Sequence, residues 1–332
     1  MLGKSERMVL YYIVREYLNT FKPVGSATLM KKYNIKYSSA TIRNKMKKLM
    51  EEGYIYKPHS SSGRVPDDKG MRFYYEETRK TEFIDKETFL SNLSTIDSIE
   101  TSKILDAVSK LTAMYTKSVC LIESPNIDEL LFEGISLFPI GNNKVISVIS
   151  TDLGVGNINV RTLKGLEYID DIKDAIDKFN QRTMNLPIYK IKEMLLSIQP
   201  DTNYIGRGEE LFLLIKDEFE NLVQNQYYLN GIENIIDNPA INLHKKLYKY
   251  ISNPENIKSV IKNENILIGK ETRIEELKDL FFLRVPYKLR NIPIGNIYVV
   301  GYKYSDFAII TSVLNYIVNR LSEIITKIER GV

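Results

Sequence analysis

The chain has 332 residues, 43% hydrophobic and 27% charged, which supplies apolar side chains for two or three packed domains and excludes a wholly disordered chain. No run of about 18 apolar residues suggests a bilayer span, and the opening MLGKSERMVLYY lacks a cleavable leader, so a cytoplasmic location without membrane contact is expected. The single cysteine, Cys120, excludes an intramolecular disulfide. With only His59 and His244 beside it, the stock for a metal cage or a nucleophilic site is poor, so no enzyme, cofactor or metal is expected.

The net charge of +4 is unevenly shared. Residues 1–80 hold 17 Lys+Arg against 8 Asp+Glu, a balance of +9, which leaves 29 against 34, a balance of −5, for residues 81–332. A basic module on an acidic body predicts an anionic partner for the first part, most economically nucleic acid. Chance clustering of solvated lysines gives the same arithmetic, so the pattern along the chain has to decide.

Residues 5–19 open with Ser5 as an N-cap and space Val9, Ile13 and Tyr17 by four, beside Leu10, Val14 and Leu18, which predicts a helix with a broad buried face. Pro23 and Gly25 break it, and Ser26 can cap a short second helix that buries Leu29 and Tyr33. Ser38 or Ser39 caps a third helix that Gly53 stops. Three helices with short turns suggest a helix-turn-helix.

On the third helix Ile42, Met46 and Leu49 point one way, and Thr41, Arg43, Asn44, Lys45, Lys47 and Lys48 fill the remaining arc. Arginine forks onto guanine, asparagine onto adenine, and free amides at a helix start hold a phosphate. Ser39, Thr41, Arg43 and Asn44 are therefore candidates for base-edge contact, and Lys47 and Lys48 for phosphates. An ordinary amphipathic helix with a lysine-rich solvent face has the same pattern. The segment after the helix favours DNA: YIYKPHSSSGRVPDDKGMRFYY has β-prone residues at Tyr54–Tyr56 and at Arg64 and Val65, a polar loop with Gly63, then Pro66 and a helix near Asp68. That is the layout of a wing, carrying Lys57, His59, Ser60, Ser61, Ser62 and Arg64 towards the DNA backbone or the adjacent minor groove.

The stretches PVGSATL, SSATIRNKMKKLMEEGYI and KPHSSSGRVPDDKGMRFY resemble the winged-helix domain of the HrcA family, the heat-inducible transcription repressors of bacteria, over nearly all of residues 5–76. The resemblance implies a repressor of chaperone genes that binds double-stranded DNA at an inverted-repeat operator. It maps DNA-facing positions onto Ser38, Ser39, Thr41, Arg43 and Asn44 in the helix and His59, Ser60, Gly63 and Arg64 in the wing. It also places a phosphate contact at Ser26.

Residues 81–100 suit a linker and 101–117 a helix. Short β-rich runs come next, with Cys120 as a buried strand residue, and a meander of about four strands is expected. Gly154-Val155-Gly156 reads as a hairpin turn rather than a nucleotide loop, because no third glycine comes at the fingerprint spacing and no helix starts there. Asp170, Asp171, Asp174 and Asp177 read as a solvated helix face rather than metal ligands. Residues 166–262 are mainly helical in pattern, and strands return in NILIG, LKDLFFLRVPYKL and PIGNIYVVGYK. A last helix over 305–329 spaces Ile310, Leu314, Ile317, Leu321, Ile324 and Ile328 by four and three, for packing on its own sheet or for a short heptad seam.

The fold class is thus α+β and multidomain: a DNA-binding winged helix-turn-helix at 1–80, a linker at 81–100, a sheet domain at 101–165 and 263–332, and a helical insertion at 166–262. Family resemblance implies that the sheet domain is GAF-like and that the insertion makes a homodimer; NQYYLNGIENIIDNPA is similar to a family motif there. Where the family has Gly-Pro-Thr-Arg-Met-Asp-Tyr, this chain runs through Tyr302, Lys303, Tyr304, Ser305, Asp306 and Phe307, and Lys270-Glu271-Thr272 replaces an expected Glu-Asn. The resemblance further implies a GroE-type chaperonin partner, whose occupation by unfolded clients on heating leaves the repressor inactive. The alternative is a winged-helix regulator that senses a small molecule through its sheet domain.

Overall fold

The computed structural model describes residues 2–80, 100–141, 144–162, 169–197, 207–222 and 226–329. The expected linker lies outside them except for Glu100.

The N-terminal module starts with α1 (Lys4–Thr20), α2 (Ser26–Lys32) and α3 (Ser39–Glu51). Val9, Leu10, Ile13 and Val14 of α1 and Ile42, Met46 and Leu49 of α3 share one apolar core. Gly3, not Ser5, sits at the cap of α1, and Gly25, not Ser26, at that of α2, so both helices begin a residue or two earlier than the hydroxyl rule suggests. Glu16 pins α2 to α1: Tyr33 Oη donates to it at 2.8 Å and Lys32 Nζ lies 2.7 Å away. Burial pushes the Glu16 carboxyl up, but these two partners outweigh it and hold the group below its ordinary range. Beyond α3, Gly53 takes φ +75°, which lets Tyr54 N return to Leu49 O at 2.9 Å and turns the chain out of the helix. A hairpin of β1 (Ile55–Tyr56) and β2 (Val65–Pro66) leads into α4 (Asp68–Thr78), capped by Asp67.

The body contains α5 (Thr101–Thr116) and a five-stranded antiparallel sheet. Its order is β7 (Tyr227–Asn230), β3 (Val119–Glu123), β10 (Ile292–Tyr302), β9 (Leu280–Leu289), β8 (Ile266–Ile268). Both faces are covered. Val119, Leu121, Leu280, Phe282, Tyr298 and Val300 face a cluster with the small helices α9 (Glu233–Ile236), α10 (Lys245–Ile251) and α11 (Pro254–Ile261). Their neighbours Cys120, Ile122, Phe281, Leu283, Ile297 and Val299 belong to the other cluster, with α5 and α12 (Phe307–Glu329). Side chains alternate across a strand, so two covered faces need an unbroken apolar run, as VCLI and LFFL supply.

A second, three-stranded sheet is separate: β4 (Phe132–Gly141), β5 (Lys144–Thr151) and β6 (Gly154–Thr162). Its inner residues Phe132, Ile135, Val145 and Ile149 pack with α6 (Ile169–Thr183), α7 (Ile188–Ser197) and α8 (Arg207–Glu220). Phe132, Phe179 and Phe219 meet with centroids 5.5–6.1 Å apart, contacts each worth about 0.5–1.5 kcal/mol beyond area burial. The buried Glu218 of α8 accepts from Asn159 and Arg161 of β6, both at 2.6 Å, which locks the helix to the sheet. Strand pairing therefore divides the chain differently from the expected boundaries at 165/166 and 262/263. Strands β4–β6 pair only with one another, while β7, expected in the insertion, completes the large sheet beside β3.

Helix α12 follows the first of the two readings of its spacing and packs on the large sheet. Over Phe307–Ile328, with mean hydropathy 1.2, it is long and apolar enough to cross a membrane, but half of that window is buried inside the protein. Ile310, Leu314, Ile317 and Leu321 are buried in the cluster that includes β9 and α5, so the four-three spacing serves intramolecular packing.

Candidate nucleic-acid interface

Helix α3 presents its donors from a well-made start. Ser38 Oγ accepts from Thr41 N at 3.1 Å and lies 2.9 Å from Thr41 Oγ1, a cap worth about 1 kcal/mol. Ser38 O takes the Ile42 amide at 3.0 Å. The Ser39 and Ala40 amides have no acceptor among the described residues, and they point out of the positive end of the helix dipole. One turn on, Arg43 and Asn44 are exposed and make no hydrogen bond or ion pair to a described residue. Lys47 lies 3.9 Å from Glu51 and Lys48 3.9 Å from Glu6. Such loose surface pairs contribute about 0–1 kcal/mol and exchange readily for phosphates.

Lys45 leaves the donor arc in which the helical wheel puts it. Its Nζ donates to Ser5 Oγ at 2.6 Å and lies 3.4 Å from Glu6 and 5.3 Å from the centre of the Tyr37 ring, so it ties α3 to α1. Ser26 is likewise internal: it is 9% exposed and its Oγ lies 2.9 Å from Ser39 Oγ. The pair fastens α2 to the first turn of α3 and so bears on the angle at which that helix sits. Lys36 and Tyr37, in the turn before Ser38, are exposed.

The hairpin beside α3 is tied down at its base and open at its tip. Val24 and Arg64 exchange two backbone hydrogen bonds of 2.8 Å, which adds the α1–α2 turn to β2 as a third short strand. At the tip, Ser62 Oγ donates to His59 O at 2.8 Å and accepts from His59 N at 2.9 Å, closing a turn that exposes His59 and Ser60. Lys57 Nζ donates to Ser60 O. Arg64 is half-buried and donates to Ser62 O at 3.3 Å, so its guanidinium supports the tip from behind. Gly63 is structural: a Cβ there would lie 2.6 Å from the Pro23 carbonyl and 2.7 Å from Val24 C, backbone that cannot move aside. Gly63→Ala should therefore cost about 1–3 kcal/mol or more. Faster hydrogen exchange at the Val24 and Arg64 amides would report the loosened hairpin, and unchanged exchange would refute this role.

The remaining chemically reactive groups have internal duties. Cys120 is buried in β3, where burial pushes its thiol up to about 12. His244 caps α10, its Nδ1 accepting from Leu247 N at 3.3 Å. Gly154 takes φ +101° at the β5–β6 hairpin. Asp174 and Asp177 are exposed on α6; the side chains of Asp170 and Asp171 lie outside the described residues.

The family described as "HrcA protein C terminal domain" matches residues 102–310, well over half of the chain. The chain belongs to the HrcA family. Relatives carry the likeness through the N-terminal module as well. The "Heat-inducible transcription repressor HrcA" of Thermotoga petrophila is 33% identical over 99% of this chain and 96% of its own. That of Thermoanaerobacter sp. is 28% identical over 98% of both chains. A crystal structure of a hypothetical protein, 30% identical, superposes with a TM-score of 0.64 over 99% of this HrcA-family chain and 100% of its own.

Proposed function

We propose that this chain is a homodimeric transcription repressor of heat-shock chaperone genes that binds an inverted-repeat operator. Residues 1–80 form a winged helix-turn-helix reader. Residues 101–126 and 226–332 form a GAF-like body, and the β4–β6 sheet with α6–α8 is the insertion through which two chains pair. Arg43 and Asn44 read base edges in the major groove, Lys47 and Lys48 neutralise phosphates, and the amides of Ser39 and Ala40 hold one more. His59 and Ser60 bring the wing tip to the flanking backbone or minor groove. Heat lifts repression when unfolded proteins occupy the chaperonin that keeps the repressor competent.

The observation that carries this reading is the pair Arg43 and Asn44, exposed and without internal partners among the described residues, on a capped helix flanked by a hairpin with a free tip. The names of the relatives support it. A gel-shift titration tests it, with the inverted repeat from the host's chaperone promoter against a scrambled duplex at two salt concentrations. The operator should bind more tightly by about 4 kcal/mol or more, with log K falling by about 0.9 per phosphate contact for each decade of salt. Equal affinity for the two duplexes would end the repressor reading.

A further inference from the structure

Helix α4 leaves the wing and runs directly into the body, where two charged side chains are gripped. Asp68 is 6% exposed and Lys303, its partner from the loop after β10, 9%. Lys303 Nζ lies 3.1 Å from Asp68 Oδ1, an ion pair whose angle falls outside hydrogen-bonding geometry, and 3.7 Å from Asp279. The other carboxylate oxygen accepts from Lys270 N at 2.8 Å. Gly269, at φ +57°, lets that turn close on the acid, for a Cβ there would strike the Asp68 carboxylate.

One turn along α4, Arg72 donates from Nε to Glu271 Oε1 at 3.1 Å and again to Glu271 Oε2, and it reaches Ile266 O at 2.8 Å. Glu271 is itself held by Ile268 N at 2.7 Å. Tyr304 Oη donates to Pro66 O at 3.1 Å and Tyr74 Oη to Asp306 at 3.3 Å. Asp279 apart, these contacts fall on two body segments, 266–272 and 302–306.

An apolar contact could slide, whereas a buried acid held by a backbone amide and charge-paired with a lysine, beside a forked arginine, keeps its compensation in one arrangement only. We infer that this junction fixes the reader at one angle on the body, so that Asp68, Arg72, Glu271 and Lys303 are positioning residues for the half-site spacing the dimer accepts. The inference rests on the proposed dimeric operator binding. Two readers gain avidity on one duplex only if both reach their half-sites together, and a rigid junction restricts that to one separation.

The test uses the full chain with spin labels at Lys31→Cys and Lys249→Cys, diluted with unlabelled protein; buried Cys120 stays silent. The junction variants are Arg72→Ala combined with Glu271→Ala, whose side chains are about one-third exposed so that folding survives, and separately Lys303→Met. The parent should give one narrow label-to-label distance, and the double variant a distribution at least about twice as wide. In gel shifts the parent should lose about tenfold or more when the half-sites are moved apart by about two base pairs, the double variant less than about threefold, with single half-site affinity unchanged. An unchanged width, or unchanged spacing discrimination, would overturn the inference. A parent that does not prefer operator to scrambled duplex would overturn the repressor reading instead, and the distance widths would still decide whether the junction is rigid.

Discussion

Arg43→Ala is expected to weaken operator binding by about 1–3 kcal/mol and to relax the base preference at one position of each half-site. The reason lies in what Arg43 lacks. It is exposed, has no partner among the described residues, and stands one turn beyond a helix start fixed by the Ser38 cap and the Ser26–Ser39 contact. Removing it leaves no internal group unpaired, so stability should hold to within about 0.5 kcal/mol. Lys47→Ala makes the contrast: it should weaken operator and scrambled duplexes alike and reduce the salt slope by about one contact. Titrating both variants on operators with each base pair changed in turn separates the two roles. If Arg43→Ala lowered affinity uniformly across sequences, it would be a phosphate contact and Asn44 would be left as the base reader.

The second large effect is expected on the outward face of the β4–β6 sheet. Phe138, Ile146 and Val160 form one cross-strand row, and Val148 pairs with Ile158 in the next. Ile158 and Val160 are 61% and 62% exposed, and Phe138 53%. Contiguous exposed apolar surface of this kind marks an interaction site, and a twofold dimer would place the same rows against each other. Ile158→Glu with Val160→Lys should give monomers in sedimentation equilibrium while leaving single half-site binding intact. Affinity for the full inverted repeat should fall by about 100-fold as avidity is lost. A variant that sedimented as a dimer would move the interface elsewhere on the chain.

Much of the N-terminal module was legible because its signals are local. A 3.6-residue period placed Ile42, Met46 and Leu49 inward, Ser38 could be named as one of two caps, and Gly53, Gly63 and Pro66 punctuated the hairpin. The roles of single polar residues were less legible, because they depend on who arrives from a distance. The contacts of Ser26 with Ser39, and of Gly63 with Pro23 and Val24, join residues 13 or more positions apart and could not be read from spacing. Lys45 was drawn inward by Ser5 and Glu6 of α1. In the body, strand type was readable from apolar runs but strand partners were not: the β7 run YYLN gives no hint that it pairs with VCLIE. The segments around Lys270 and Lys303 showed no role in one dimension. Folded, they grip Asp68 and Arg72.

The position of β3 in the large sheet bears on how the chain is made. Strand β3 is buried along its length and apolar except for Glu123, but its hydrogen-bonding neighbours are β7 at residues 227–230 and β10 at residues 292–302. During synthesis from the N-terminus the strand leaves the ribosome well before either neighbour, with both edges unpaired while the β4–β6 unit is completed. Pairings so distant along the chain form slowly, and nascent chains with bare edges stick to one another. A protein wired in this order has its most adhesive interval just before its C-terminal strands appear.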